Sequence, residues 1–205
     1  MLALLSLAAL LAAPTEPVKL FNGKDFTGWE GDTAKTWKIE DGVIVGGSLD
    51  AVVPRNEFLC TTKTYADFEL KVTFKLTGDR DKANAGIQFR TKRIPNHHEV
   101  SGYQADMGQQ YWGALYDESR RNKILAKPDA KVLEKLVKHD EWNEYTIRCE
   151  GPRIRLWLNG TLTVDYTEED AKIDRDGVIG LQVHGGAKAK VYYKSVTIEE
   201  LAPKK

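Results

Sequence analysis

The chain has 205 residues, of which 41% are hydrophobic and 29% are charged, and its 30 basic and 30 acidic side chains cancel to a formal charge of zero. This length and balance predict a globular protein with a sizeable buried core. The zero charge argues against a nucleic-acid binder, which needs a basic surplus to neutralise phosphates, and gives no reason to expect an anionic membrane surface as a partner.

The first 13 residues, MLALLSLAALLAA, form an apolar run of small and aliphatic side chains. A helix of this length is too short to span a bilayer core of roughly 30 Å, and the run is typical of the apolar region of a secretory signal. No cysteine directly follows it to carry a lipid anchor. We therefore predict a secretory segment at residues 1–15, one domain at residues 16–205, and a secreted or periplasmic protein. A buried N-terminal segment is the less favoured alternative.

Alternation of apolar and polar residues predicts β-strands along most of the remaining chain. In residues 67–76, DFELKVTFKL, every second residue from Phe68 to Leu76 is apolar. Residues 153–158 alternate in the same way and end at Asn159-Gly160, which suits a type I′ hairpin turn because both positions tolerate positive φ. Further strands are predicted at 36–40, 42–47, 57–62, 85–90, 102–107, 112–117, 141–149, 161–166, 177–183 and 191–201.

Only residues 131–138, KVLEKLVK, have the spacing of an amphipathic helix. The predicted strands are short and fairly evenly spaced, with Gly, Asp and Asn between them. This pattern predicts an all-β sandwich or barrel rather than a fold in which strands and helices alternate.

Cys60 and Cys149 are the two cysteines of the sequence, and they leave two interpretations open. An exported protein can hold one disulfide. However, Cys149 alternates with Tyr145 and Ile147, which is typical of a small core residue. Two cysteines alone do not make a metal-binding framework.

Three predicted strands carry, opposite their apolar faces, polar residues that make directed hydrogen bonds. These residues are Gln88 and Arg90, Gln104 and Asp106, and Gln182 and His184. If the three strands are neighbours, these side chains form the floor of a polar pocket. The wall would then come from the following segment, with Tyr111, Trp112, Tyr116, Asp117, Glu118, Arg120 and Arg121. The alternative is an ordinary solvated sheet face, which also carries polar residues.

Other motifs give little support to different chemistries. The adjacent His97 and His98 follow Ile94-Pro95-Asn96, so an exposed loop is favoured over a zinc site. The sequence has no Gly-x-Ser-x-Gly elbow and no phosphate-binding glycine loop, so neither phosphoryl nor hydride transfer is indicated.

An ordered set of segments resembles the 3-keto-disaccharide hydrolase family over residues 18–201. The segments are LFNGKDFTGW, YADFELKVTFKL, NAGIQFR, GYQADM, WGALYD, WNEYTIRCEGPRIRLWLNG and GVIGLQVHGG. The resemblance implies an all-β fold, a concanavalin/laminin-G-like jelly-roll β-sandwich of two antiparallel sheets, in an exported bacterial protein. It also implies action on a carbohydrate partner whose sugar is oxidised to a ketone at C3. Two positions depart from the family pattern, Ala85 in place of Ser and Gln104 in place of Glu, so Gln104 cannot serve as a base.

The chemistry that this resemblance implies gives the polar residues a purpose. A ketone at C3 acidifies the hydrogen on C2, so elimination across C1 and C2 needs a base, a donor to the enolate oxygen and an acid for the leaving group. His184 suits base or acid work, Arg90 suits enolate stabilisation, and Asp106, Asp117 or Glu118 would be the carboxylate partner. A divalent metal could replace Arg90, although the sequence requires none. Sugar contacts are expected from Gln88, Gln104, Gln182, Tyr111, Trp112, Tyr116, Arg120 and Arg121.

Two other functions remain as alternatives at this point. A non-catalytic carbohydrate-binding module on the same fold would need an aromatic platform but no base near a donor. A domain that docks onto another exported protein would expose a large apolar patch, which the alternation of the strands does not predict. Because the sequence offers both aromatic residues and a set of acid–base groups, we favour the enzyme.

Overall fold

The computed structural model of the chain describes residues 16–202, so the predicted secretory segment at residues 1–15 lies outside the described residues. The described part consists mainly of short strands joined by turns. In chain order they are β1 (Val18–Lys19), β2 (Trp29–Glu30), β3 (Trp37–Glu40), β4 (Val43–Ser48), β5 (Glu57–Tyr65), β6 (Phe68–Gly78), β7 (Asn84–Arg93), β8 (Val100–Gly108), β9 (Leu115–Glu118), β10 (Lys123–Ala126), β11 (Asn143–Glu150), β12 (Arg153–Leu158), β13 (Thr161–Thr167), β14 (Gly177–Val183) and β15 (Ala189–Glu200).

Two antiparallel sheets contain all of these strands. Within residues 16–202, the eight-stranded sheet has the order β13-β12-β11-β6-β15-β4-β3, with β1 pairing to β15. The seven-stranded sheet has the order β10-β9-β8-β7-β14-β5-β2. Sequence neighbours such as β6 and β7 lie in different sheets, so the chain crosses repeatedly between them. The predicted jelly-roll β-sandwich of two antiparallel sheets is confirmed.

The core lies between the two sheets, and the alternation of the sequence accounts for it. On β6, Phe68, Leu70, Val72 and Phe74 are fully buried while the intervening residues are more exposed. The seven-stranded sheet contributes the apolar residues of β7, β8 and β14. Because side chains alternate along a strand, burying these residues turns the polar residues of the same strands towards the outer face.

Residues 112–117 depart from the predicted strand. The chain forms a 3₁₀ helix at Gln109–Tyr111 and a turn before β9 begins at Leu115. Strand β10 was not predicted, because Lys123–Ala126 is too short to show an alternation. These two differences fall in the segment between β8 and the predicted helix, where turns interrupt the period-two pattern. The two-residue strands β1 and β2 were not predicted either.

The predicted helix is present as α1 (Ala130–Leu136), where the side chain of Asp129 accepts a hydrogen bond of 2.8 Å from the backbone N–H of Lys131. This cap satisfies one of the free N–H groups at the start of the helix. No helix between residues 16 and 202 is long and apolar enough to cross a membrane.

The hairpin turn at Asn159-Gly160 is confirmed. Both residues have positive φ, 48° for Asn159 and 81° for Gly160, as a type I′ turn requires. The amide of Asn159 also donates to the carbonyl of Leu136 at 2.8 Å, so the turn holds the end of α1.

The two cysteines are both buried and both free, so no disulfide joins them. Cys149 lies in the main core, as its alternation indicates. Cys60 lies in a small separate cluster with Phe58 and Val100. Burial raises the pKa of Cys60 to about 11 and that of Cys149 to about 12.

Candidate active site

The outer face of the seven-stranded sheet carries the polar residues that the sequence analysis singled out. Strands β9, β8, β7 and β14 are neighbours, and Tyr116, Gln104, Gln88 and Gly180 form one cross-strand row. A cleft of about 190 Å³ opens on this face. It is lined by Asn84, Gln104, Asp106, Gln109, Tyr111, Tyr116, Glu118 and His184.

A glycine beneath this row makes room for the polar side chains. A Cβ atom on Gly86 would lie 2.3 Å from the Cδ atom of Gln104, far inside van der Waals contact. The absent side chain therefore allows the Gln104 amide to lie flat over β7. This arrangement lets several large polar groups share one small area of sheet.

Side-chain amides fix the position of Asp106 at the floor of the cleft. Asn84 donates from Nδ2 to Oδ1 of Asp106 at 3.0 Å, and Gln88 donates from Nε2 to Oε1 of Gln104 at 2.5 Å. All four residues are buried. Asn84 was missed by the sequence analysis, although it lies four residues before Gln88 and so belongs to the same face of β7.

Two buried tyrosines of the eight-stranded sheet tie it to the strands below the cleft. The Tyr145 hydroxyl donates to the backbone carbonyl of Asp106 at 2.5 Å and accepts from the N–H of Gly113 at 2.9 Å. The Tyr193 hydroxyl contacts the carbonyls of Gly86 and Gln182 at 3.0 and 2.8 Å. The cleft is thus anchored through the core.

The carboxyl group of Asp106 is almost completely buried, which changes its acidity. Burial raises the pKa of Asp106 to about 8, although hydrogen bonds from Gln104 and Asn84 oppose the rise and the charge of Glu118 adds to it. Among the described residues, those lining the cleft include no Lys or Arg that could favour the ionised form. At neutral pH Asp106 is therefore mainly a neutral acid that can donate a hydrogen bond.

Glu118 has a similar environment at the side of the cleft. Burial, together with the nearby charge of Glu99, raises its pKa to about 7. Gln182 donates from Nε2 to Oε2 of Glu118 at 3.4 Å, which partly opposes the rise. Glu118 can therefore either give or take a proton near neutral pH.

His184 follows β14 and presents one basic ring nitrogen. Its Nδ1 atom lies 2.7 Å from the carbonyl oxygen of Gly185. Because a carbonyl oxygen only accepts hydrogen bonds, Nδ1 carries the proton in the neutral ring and Nε2 keeps the lone pair. The backbone N–H of His184 donates to the carbonyl of Asn84 at 3.2 Å, which holds the residue beside the floor of the cleft.

Two of the three predicted aromatic contacts line the cleft. The rings of Tyr111 and Tyr116 meet edge to face, with centroids 6.1 Å apart and an interplanar angle of 83°. Trp112 does not join them, since the turn after the 3₁₀ helix directs it into the core. There it is only 7% exposed and stacks on Phe74 with centroids 6.2 Å apart.

Arg90 lies away from the cleft, contrary to the alternation of β7. The pairing of β7 with β8 shifts register between Phe89 and Lys92, and Arg90 has a φ of 45°. Its side chain, 1% exposed, forms an ion pair of 2.8 Å with Asp67 and donates to the carbonyls of Ala66 and Gly151. The guanidinium therefore has a structural position and cannot reach a ligand in the cleft.

Asp117, Arg120 and Arg121 lie behind the cleft rather than in it. Asp117 and Glu118 are consecutive in β9, so their side chains point to opposite faces of the sheet. Asp117 is fully buried and pairs with Arg120 at 2.9 Å and with Arg121. Arg121 also bridges to Glu168 at 2.6 Å. This network holds the turn after Glu118 from the other side of the sheet.

The end of the β7–β8 hairpin, residues 91–101, covers the outer face next to the cleft. Arg93 pairs with Glu30 at 2.9 Å, and Asn56 donates to Glu99 at 3.1 Å. Gln88 of β7 and Gln182 of β14 are fully buried and donate hydrogen bonds to Gln104 and Glu118 without lining the cleft.

His97 and His98 lie at this hairpin end, with ring centroids 4.3 Å apart. Within the described part of the chain, no three His, Cys, Asp or Glu residues are grouped so that they could hold a metal ion.

Replacing Asp106 by Asn is expected to reduce the loss of folding stability between pH 5 and pH 8. The carboxyl has a pKa of about 8 in the folded protein and about 4 in the unfolded chain. Its contribution to folding stability is therefore fully present below pH 4. That contribution is lost as the pH rises through 8, at about 1.4 kcal/mol per pH unit within the window. Urea denaturation of both proteins across this range measures the difference.

The Asn variant keeps the shape of the side chain, and its Oδ1 can still accept from Asn84. Asp50→Asn, at an exposed residue, is the control for removal of one carboxyl. Parallel stability curves for wild type and Asp106→Asn would show that Asp106 is ionised in the fold at neutral pH.

Comparison with known protein families identifies one that covers nearly all of the described residues. Residues 16–199 match the family model described as the 3-keto-alpha-glucoside-1,2-lyase-like domain. No curated protein sequence matches the chain.

Several solved structures share the fold at low sequence identity. A Parabacteroides distasonis protein proposed to be a glycosyl hydrolase is 22% identical, with 91% of this chain and 94% of that chain covered and a TM-score of 0.67. A carbohydrate-binding module from Bacillus subtilis is 18% identical, with 84% and 96% covered and a TM-score of 0.63. A Bacillus subtilis protein of unknown function with a galectin-like fold is 12% identical, with 94% and 98% covered and a TM-score of 0.64. At these identities the likeness shows the fold alone.

Proposed function

This chain belongs to the 3-keto-alpha-glucoside-1,2-lyase-like domain family, and we propose that it cleaves glycosides whose sugar carries a ketone at C3. The observation that carries the proposal is the meeting of three proton-transfer groups, His184, Asp106 and Glu118, in one cleft. Two of them are carboxyl groups whose pKa values burial raises to about 8 and about 7. Such perturbed groups in a cleft are typical of acid–base catalysis.

The reaction begins with an elimination, and water can then add to the elimination product. A base takes the hydrogen of C2, and the electron pair of the C–H bond forms the C2=C3 bond of an enolate with the charge on O3. The ketone then re-forms, a C1=C2 double bond appears, and the bond from C1 to the leaving oxygen breaks while that oxygen gains a proton. Addition of water to C1 completes a net hydrolysis, so no pair of carboxylates at a fixed separation is required.

The cleft supplies a group for each of these steps. The lone pair on Nε2 of His184 takes the C2 proton. The neutral carboxyl of Asp106 donates a hydrogen bond to O3, the place that the sequence analysis gave to Arg90, and because it is uncharged it does not repel the enolate. Glu118 in its protonated form delivers the proton to the leaving oxygen.

The size and lining of the cleft fit one sugar ring. Its volume of about 190 Å³ lies below the roughly 300–1,000 Å³ of pockets for drug-sized ligands. Tyr111 and Tyr116 offer aromatic rings to the apolar side of a sugar, and Gln104 and Gln109 offer amides to its hydroxyl groups. The leaving group therefore lies outside the cleft.

A non-catalytic carbohydrate-binding module remains the second candidate. The perpendicular tyrosine pair at the cleft favours it, together with the likeness in fold to a carbohydrate-binding module. In that case the buried carboxyl groups would only position hydroxyl groups of the sugar. We also propose export, which rests on the apolar run MLALLSLAALLAA.

The test is turnover of a 3-keto-glucoside with a chromogenic aglycone beside the unoxidised glucoside, with and without chelator. We expect release from the keto sugar only, because only the ketone acidifies the C2 hydrogen. Loss of turnover in the presence of chelator would show that the site also needs a metal ion. No release from either compound, with saturable sugar binding in calorimetry, would contradict the enzyme and support the binding module.

A further inference from the structure

A second cavity adjoins the cleft on the far side of the 3₁₀ helix. It measures about 350 Å³ and lies between this helix and α1. Gln109 lines both the cavity and the cleft, so the two spaces approach each other at this residue. Tyr111 faces the cleft and the next residue, Trp112, faces the cavity. We refer to this cavity as the α1 groove.

The walls of the α1 groove are suited to an apolar ring. Pro128, Leu133 and Val137 line it, and Leu133 and Val137 are half-buried against the core. Gln110, Glu134 and His139 add polar groups. The groove therefore combines apolar area with a few hydrogen-bonding side chains, as small-molecule sites do.

The packing of the Trp112 indole limits which kind of ring can bind in the groove. One face of the indole stacks on Phe74, the ring of His139 meets it at 86°, and the side chain is only 7% exposed. With one face stacked on Phe74 and little of the side chain exposed, the indole offers little open ring face to a ligand in the groove. Sugar recognition commonly uses an open aromatic face and many directed hydrogen bonds, whereas a phenol needs apolar contact along its ring and a partner for a hydroxyl group.

We propose that the α1 groove binds a phenolic leaving group, so that the protein acts on 3-keto-glycosides of aromatic alcohols. This inference rests on the proposed function, since it supplies the place for the group that departs from C1. The cleft holds one ring, and the groove begins where Gln109 ends the cleft. A second sugar, as in a 3-keto-disaccharide, is the competing occupant.

The proposal can be tested by a substitution that fills the groove with a large side chain and leaves the core unchanged. Ala130 is exposed and lines the groove, so Ala130→Trp places an indole in it. Val132→Trp is the matched control, because Val132 lies on the same helix, is 40% exposed and does not line the groove. The substrates are 4-nitrophenyl 3-keto-α-glucoside, methyl 3-keto-α-glucoside and a 3-keto-disaccharide of two glucose units.

Ala130→Trp is expected to lower kcat/KM for the nitrophenyl substrate about tenfold or more, mainly through KM. The methyl substrate should change by less than about twofold, and Val132→Trp should change neither. Comparing each variant with wild type on the same substrate removes the intrinsic advantage of a phenol as a leaving group. A loss confined to the disaccharide, an equal loss for all three substrates, or no loss would overturn the proposal.

A binding measurement separates this proposal from the proposed function. If the wild type turns over none of the substrates, the proposed function has failed. Calorimetry with unoxidised 4-nitrophenyl and methyl α-glucosides then still tests the groove. We expect the nitrophenyl glucoside to bind more tightly than the methyl glucoside, and Ala130→Trp to remove the difference. Equal binding of both glucosides to the wild type would contradict the groove.

Discussion

Replacing His184 by Ala is expected to lower kcat/KM for a 3-keto-glucoside by about 10²- to 10⁴-fold, the usual contribution of a positioned general base. The ring is fixed by its 2.7 Å contact with the carbonyl of Gly185, which leaves Nε2 as the basic atom beside the cleft. A direct readout is the exchange of the C2 hydrogen with deuterium from the solvent. This exchange should be lost together with turnover, because both depend on removal of the same proton.

The control for this substitution is His97→Ala, which removes an exposed histidine outside the cleft. It should leave both rates near those of the wild type. If His184→Ala keeps its activity while Glu118→Gln loses it, Glu118 is the base and His184 is not. Either result can be interpreted only if the variant keeps its secondary structure and its denaturation midpoint.

Replacing Arg90 by Ala is expected to cost about 3–5 kcal/mol of folding stability, the range for breaking a buried ion pair from one side. Arg90 is 1% exposed and Asp67 is 12% exposed, so the remaining carboxylate would stay largely desolvated. The carbonyls of Ala66 and Gly151 would also lose their donors. Chemical denaturation with the linear extrapolation of the free energy of unfolding measures the change.

A second Arg–Asp pair of this protein serves as the matched control. Arg80 and Asp140 lie 3.4 Å apart with side chains 63% and 49% exposed, so Arg80→Ala should cost less than about 1 kcal/mol. Equal costs at the two sites would contradict the structural role of Arg90. Any Arg90 variant that remains folded should keep kcat near the wild-type value, because the guanidinium does not line the cleft.

The alternation of the sequence predicted the strands that form the floor of the site, because burial of one sheet face imposes a period of two. The same rule brought Gln104, Asp106 and His184 to the outer face, where the structure places them. It failed at Arg90, because a register shift in β7 reverses the direction of the side chains after Phe89. A sequence pattern does not reveal such a shift, since it depends on the pairing of two distant strands.

In the segment from residue 109 to residue 121, the alternation predicts the direction of some side chains but not of others. Strict alternation separates Asp117 from Glu118, so the period of two by itself is enough to assign these neighbours to opposite faces of the sheet. The inward direction of Trp112 could not be derived in this way, because a 3₁₀ helix and a turn precede β9. The influence of Glu99 on Glu118 depends on how the hairpin end folds over the sheet, which is a tertiary contact.

The hydroxyl groups of Tyr145 and Tyr193 bear on how the protein responds to heat. Both tyrosines extend from the eight-stranded sheet to backbone carbonyls directly below the cleft. The floor of the cleft therefore belongs to the same cooperative unit as the core, unlike a site built on a peripheral loop with its own local melting. Thermal inactivation should then coincide with global unfolding, with no lower-temperature phase in which the fold persists and the cleft is lost.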